Sequence, residues 1–242
     1  MQAFLNLFQK GLAYTITYPS ETSLLIFTIV FIVATIVIPY LLGSVNSAII
    51  VSKIFFHEDV REKGSGNAGT TNVMRSYGKK AALLTLLGDI LKTVLAIFVG
   101  GLFMGLYYGP YGFSIGYGGY IAGFFCIVGH IFPVFYKFRG GKGVLCLATA
   151  AAMLSPFVLL LLLLFFIIIV AFTRYVSLGS VIGSLFYPLL LNRFAIFFGA
   201  SLDGIHTLIA MAAALLIVFC HRKNLRRIMN GEENKFSFHS SH

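Results

Sequence analysis

The sequence predicts an all-α, polytopic integral membrane protein of about seven transmembrane helices, N-terminus outside and C-terminus cytoplasmic. Three observations predict it. Hydrophobic residues make up 58% of the 242 and charged residues only 11%, with a mean hydropathy of +0.91. Soluble domains carry about 25% charged residues, and no soluble core of this length hides so much apolar surface. Apolar runs of helical length recur from Thr22 to Cys220 with no long polar stretch between them, so residues 1–242 read as one membrane domain. The cations, finally, gather in the short polar segments between those runs.

Residues 1–20 form an extension in which Phe4, Leu5, Phe8 and Leu12 fall at helical spacing, the pattern of an interfacial helix. It holds no small-residue cleavage pattern, so a cleaved leader is not expected. The first span is expected over 24–51, mildly interrupted by Pro39 and Gly43, followed by a polar, glycine-rich loop over 53–80. Further runs cover 81–108 and 117–135, with a short basic loop at 137–143. The stretch 144–172 decides the parity. Read as one crossing, it leaves Arg174 and the tail HRKNLRR opposite the earlier basic loops; split at Pro156, it returns them to the same side. Lys53, Arg61, Lys63, Arg75, Lys79, Lys80, Lys137, Arg139, Lys142, Arg174 and the tail over 222–242 then share the cytoplasmic face, and only Lys10 and Arg193 fall opposite. The part before Pro156 is short for a core of about 30 Å and needs shielding or a thin bilayer. Runs over 176–191 and 204–220 complete the count, and the glycines of GGYIAG and GLFMG are assigned to helix packing.

A net charge of +10 would raise nucleic acid as a partner in a soluble protein; here its placement points to lipid headgroups and anionic substrates. Cys126, Cys146 and Cys220 are scattered through apolar runs without paired spacing and read as packing residues, and no histidine has metal-ligand spacing, so no metal or cofactor is expected.

Four groups of residues and one lone serine are able to carry chemistry. GSGNAGTTNVMR, residues 64–75, interleaves Gly64 and Gly66 with Ser65, Asn67 and Asn72, a composition that curls the backbone around an anion or forms an ordinary capped loop. Arg75 favours the anion, since a guanidinium grips phosphate with two hydrogen bonds. GHIFPVFYKFRGGKGV, residues 129–144, ends in Gly140, Gly141, Lys142 and Gly143 before a helix, placing amides and an ammonium where a phosphate binds. Its spacing is not that of a Walker A loop. His130 in this stretch is either structural or part of the site. His221 and Asn224 share a helical face if the last helix continues, within a basic segment that topology alone would also require. Asp89 and Lys92, three apart at membrane depth, either pair with one another or face substrate. Ser180 offers a hydroxyl to a polar site or bonds its own backbone.

Together, GSGNAGTTNVMR, GHIFPVFYKFRGGKGV and HRKNLRRIMNGEE resemble the three signature motifs of the bacterial acyl-phosphate:glycerol-3-phosphate acyltransferases, the PlsY family, in order and across nearly the whole chain. The resemblance implies seven helices and transfer of a fatty acyl group from acyl phosphate to the sn-1 hydroxyl of glycerol 3-phosphate. The product would be 1-acylglycerol 3-phosphate, the first acylation of phospholipid synthesis, made by a monomer at the cytoplasmic face of the bacterial inner membrane. It implies that Ser65 and Arg75 are needed for activity, that Gly140 to Gly143 with Lys142 bind glycerol 3-phosphate, that His221 and Asn224 belong to the active site, and that Glu233 is structural. Ser180 matches a looser Y-x-S-x-x-S pattern. Thr93 stands where the family usually has glycine after GDxxK, and the N-terminal extension is longer than typical.

Because acyl phosphate is already activated, direct attack by the glycerol hydroxyl needs no covalent intermediate. The proton acceptor is His221 or the substrate's own phosphate, and Ser65 as a transient acyl nucleophile stays open. A small-anion transporter would also use basic loops and paired membrane charges, and an intramembrane protease would pair Ser65 with His221.

Overall fold

The computed structural model describes residues 21–108, 116–197 and 204–236; the expected interfacial helix at 1–20 lies outside them. Every regular element is helical among the described residues: α1 (Glu21–Ser44), α2 (Ser47–Phe56), α3 (Thr70–Tyr108), α4 (Tyr117–Ile131), α5 (Val144–Leu154), α6 (Pro156–Thr173), α7 (Val176–Phe197), α8 (Gly204–Cys220) and α9 (Arg222–Met229). Single 3-10 turns cover Val60–Glu62 and Val134–Tyr136. Among the described residues five segments are long and apolar enough to cross a membrane, or six if α8 and α9, joined across a 53° bend, form one span. α5 has 11 residues, about 16 Å of helix at 1.5 Å per residue, against a hydrocarbon core of about 30 Å.

The first span breaks at neither Pro39 nor Gly43. It breaks at Asn46, whose backbone is extended and whose Oδ1 accepts the Ile49 N–H at 3.0 Å, so a new helix starts under its own cap. Helix also invades the expected 53–80 loop from both sides. α2 runs on to Phe56 and α3 begins at Thr70, leaving a loop of 57–69 and carrying Asn72 and Arg75 onto a helix. α3 is interrupted at Gly78, where φ of +86° and ψ of −177° admit glycine with least cost. The break between α5 and α6 falls at Ser155 and Pro156, where the charge parity requires it; proline at the first helical position loses no hydrogen bond.

By contacts the chain forms two compact units, Met1–Ala150 and Ala151–His242. In the first, α1, α3 and α4 pack on one another and α2 lies against α3. Close approach depends on glycine: a Cβ at Gly43 would lie 2.2 Å from the Cys126 carbonyl oxygen, one at Gly129 2.1 Å from that of Tyr40, and one at Gly118 2.4 Å from that of Gly100. Gly101, assigned to packing from the sequence, instead faces open space, because the approach to α4 is made one residue earlier. In the second unit α7 packs against both α6 and α8. Leu91, Leu160 and Leu208 are each about 60% exposed, apolar faces that suit hydrocarbon rather than water.

Candidate anion-binding and active-site residues

The loop 57–69 is held by side chains that sit at its ends. Asp59 accepts the Arg61 N–H at 3.0 Å and takes the Arg61 guanidinium through both carboxylate oxygens at 2.9 and 2.7 Å. The Arg61 hydrogen bonds hold the Asp59 carboxyl below its ordinary pKa against the upward push of burial, and the same contact raises that of Arg61. Arg61 Nη1 also donates to the carbonyls of Tyr136 at 2.9 Å and Arg139 at 3.1 Å, tying this loop to the 132–143 loop.

From the first turn of α3, buried Asn72 turns its amide back into the loop. Oδ1 accepts the Ser65 N–H at 2.8 Å, while Nδ2 donates to Val60 O at 3.0 Å and Lys63 O at 2.9 Å. Asn72, expected from the sequence to meet substrate, thus spends three of its four hydrogen-bonding positions on loop backbone. Gly64 (φ +55°) and Gly66 (φ +72°) give the loop its left-handed turns, and a Cβ at Gly64 would lie 2.3 Å from Asn72 Oδ1. Ser65 and Arg75 are both exposed, Asn67 is half-buried, and Arg75 makes no hydrogen bond or ion pair among the described residues. An uncompensated guanidinium beside a curled loop suits an anionic ligand.

In the second loop the glycines serve two purposes. Gly140 N–H donates to Ile131 O at 3.1 Å and Gly141 N–H to His130 O at 3.0 Å, so these two amides close the loop onto the end of α4 rather than standing open as the sequence suggests. Their lack of side chains is steric: a Cβ would lie 2.1 Å from His130 O at Gly140, and 2.1 Å from His130 Nε2 and 2.9 Å from Ala68 O at Gly141. The two glycine-rich loops therefore meet at Ala68 and Gly141. Gly143 (φ +81°) leads into α5, its carbonyl accepting Leu147 N–H at 2.9 Å, with half-buried Lys142 just before it.

Beneath these loops Lys92, 5% exposed, places Nζ 2.8 Å from Asp89 Oδ1, 2.9 Å from Val45 O and 2.9 Å from His130 Nδ1. Of the two readings open for Asp89 and Lys92, this geometry favours mutual pairing.

In the second unit, α8 ends at Cys220 and the bend at His221 replaces the continuous helix that would align His221 with Asn224 on one face. Both side chains are nevertheless buried, 3% and 6% exposed. His221 Nδ1 lies 2.8 Å from Ile217 O; a carbonyl only accepts, so Nδ1 carries a proton. Glu233 gathers the tail: Oε1 accepts Asn224 Nδ2 at 2.7 Å and Ser177 Oγ at 2.8 Å, and Oε2 accepts Arg227 Nε at 2.8 Å. Burial raises the Glu233 carboxyl, but these three donors outweigh it and hold it below its ordinary value. Ser180 donates to Val176 O at 2.9 Å, a bond within its own helix. Among the described residues no three histidine, cysteine or acidic side chains are grouped to hold a metal.

The sequence reading missed the roles of Arg61 and Ser177. The Asp59-x-Arg61 spacing was a local signal for the first; Ser177 is the first serine of the Y-x-S-x-x-S pattern, which says nothing of its partner Glu233, 56 residues away.

The family model described as glycerol-3-phosphate acyltransferase matches residues 13–231. A glycerol-3-phosphate acyltransferase of Thermoanaerobacter sp. (strain X514) is 40% identical over 203 residues, 84% of this chain and 94% of that protein. One from Chlorobaculum tepidum is 37% identical over 231 residues, covering 85% and 96%. The crystal structure of PlsY, an integral membrane glycerol 3-phosphate acyltransferase, in its glycerol 3-phosphate form superposes with a TM-score of 0.70 at 30% identity, covering 84% of this chain and 94% of that one. The lysophosphatidic acid form gives 0.68 at 31%.

Proposed function

The chain belongs to the glycerol-3-phosphate acyltransferase family, and from that membership we propose that it moves a fatty acyl group from acyl phosphate to the sn-1 hydroxyl of glycerol 3-phosphate. The products are 1-acylglycerol 3-phosphate and inorganic phosphate, the first acylation in phospholipid synthesis. The observation that carries this reading is the meeting of the two glycine-rich loops at Ala68 and Gly141, with Arg75 and Lys142 beside them. Both substrates carry phosphate, and paired cationic loops answer that demand.

The hydroxyl oxygen forms the new ester bond to the acyl carbon while the carbon–oxygen bond to the leaving phosphate breaks. Arg75, Lys142 and loop amides stabilise the charge on the carbonyl oxygen and the departing phosphate. The hydroxyl proton goes either to His221 or to the phosphate of a substrate. Asn224, oriented by Glu233, serves the same chemistry. No covalent acyl-enzyme is needed, because the donor is already activated.

We assign the chain to the bacterial inner membrane as a monomer among lipids, with seven crossings, α5 the shortest, and the loops 57–69 and 132–143 and the tail in the cytoplasm. The gathering of cations in those segments and the break at Pro156 support that topology.

Purified protein given acyl phosphate and labelled glycerol 3-phosphate should form lysophosphatidic acid. Uptake into vesicles without product would select a small-anion transporter instead. His221→Gln that retains the full pH profile of turnover would move the proton to the substrate phosphate.

A further inference from the structure

An ammonium has three protons and no lone pair. Lys92 Nζ donates to Val45 O and meets His130 Nδ1, each at 2.9 Å, and lies 2.8 Å from Asp89 Oδ1 as an ion pair. His130 Nδ1 is therefore the acceptor in that contact, and the single proton of the neutral imidazole sits on Nε2. Nε2 is the atom against Gly141: a Cβ there would lie 2.1 Å from it and 2.9 Å from Cε1. The same residue also holds the loop by its backbone, since His130 O accepts the Gly141 N–H at 3.0 Å. With 4% of its surface exposed, the ring has little room to rotate. Ring orientation, tautomer and loop position are thus set together by one buried ion pair.

We propose that His130, locked by Asp89 and Lys92, is a positioning residue for glycerol 3-phosphate: it fixes Gly141 against Ala68 and so sets where Lys142 and Gly143 present their groups to the phosphate. This rests on the assignment of that loop to phosphate binding. The imidazole acts through the loop, so its loss weakens ground-state capture of glycerol 3-phosphate more than it slows the acyl transfer itself.

The test uses the full chain in lipid vesicles with acyl phosphate held constant and glycerol 3-phosphate varied. His130→Ala should raise KM for glycerol 3-phosphate by about tenfold while kcat falls by less than about threefold. His130→Asn, which keeps an acceptor near Lys92 Nζ but lacks Nε2 and Cε1, should leave the ion pair intact yet retain most of that rise in KM. Should His130→Ala fail to fold, the pair His130→Asn and Gly141→Ala decides. Gly141→Ala alone drives its Cβ into the ring and should raise KM about tenfold, whereas the same change made with Asn at 130 should add no more than about threefold. A His130→Ala enzyme with wild-type KM, or costs at 130 and 141 that simply multiply, would overturn the proposal. Wild-type protein that makes no lysophosphatidic acid would instead remove the functional reading beneath it.

Discussion

Asn72 is where the first loop is most exposed to a single change. Its amide makes three hydrogen bonds to loop backbone, at 2.8, 3.0 and 2.9 Å, and Val60, one of the acceptors, is fully buried. Each such bond contributes about 1 kcal/mol net, so losing all three in Asn72→Ala should weaken closure of the loop by about 3 kcal/mol. At 1.4 kcal/mol per factor of ten, that is roughly a hundredfold increase in local opening. Hydrogen exchange of the backbone amides over 63–69, followed by mass spectrometry, reads it directly. The helices flanking the loop should exchange as in the parent protein.

Asn72→Asp sharpens the reasoning. The carboxylate keeps the acceptor for Ser65 N–H but loses both donations, and it places negative charge against two carbonyls and beside the proposed phosphate site. It should therefore protect the loop no better than alanine and impair lysophosphatidic acid formation more. Exchange in Asn72→Ala within about threefold of the parent, or an aspartate variant as protected as wild type, would refute the assignment of Asn72 as the strut of this loop.

Two further outcomes follow from named contacts. The Glu233 carboxyl titrates below its ordinary value, so its contribution to tail docking is fully present above the usual carboxylate range of about 4.3 and disappears as pH falls through its lowered folded value. Protection of the Phe236 N–H, which donates to Arg174 O at 2.7 Å, should be flat from pH 7 to about 5 and fall at lower pH, and Glu233→Gln should lose that pH dependence; an unchanged acid profile in the variant contradicts it. Lys92→Met strands Asp89 as a buried charge and should destabilise the first unit by about 3–5 kcal/mol in thermal unfolding, whereas adding Asp89→Asn should return a large part of it; a double variant worse than Lys92→Met refutes pairing as the reason for both charges.

Much of this protein was legible along the chain because the signals are local. Apolar runs of membrane length, the Pro156 break and the glycine-rich loops are patterns within a few residues, and the bilayer imposes them before any tertiary contact forms. Where local signals competed, the sequence misled: Pro39 and Gly43 read as mild interruptions of one continuous first span, yet the span breaks at Asn46, which caps the next helix. What only the tertiary structure decided is which way polar groups point. Glycine amides at 140 and 141 turn inward because the end of α4 offers carbonyls there, and Asn72 turns back because the loop 57–69 folds beneath it. His130, ambiguous by itself, acquires a tautomer and an orientation from Lys92, 38 residues earlier. Periodicity and composition describe neighbours in sequence; hydrogen-bond direction depends on neighbours in space, and those exist only once the helices have packed.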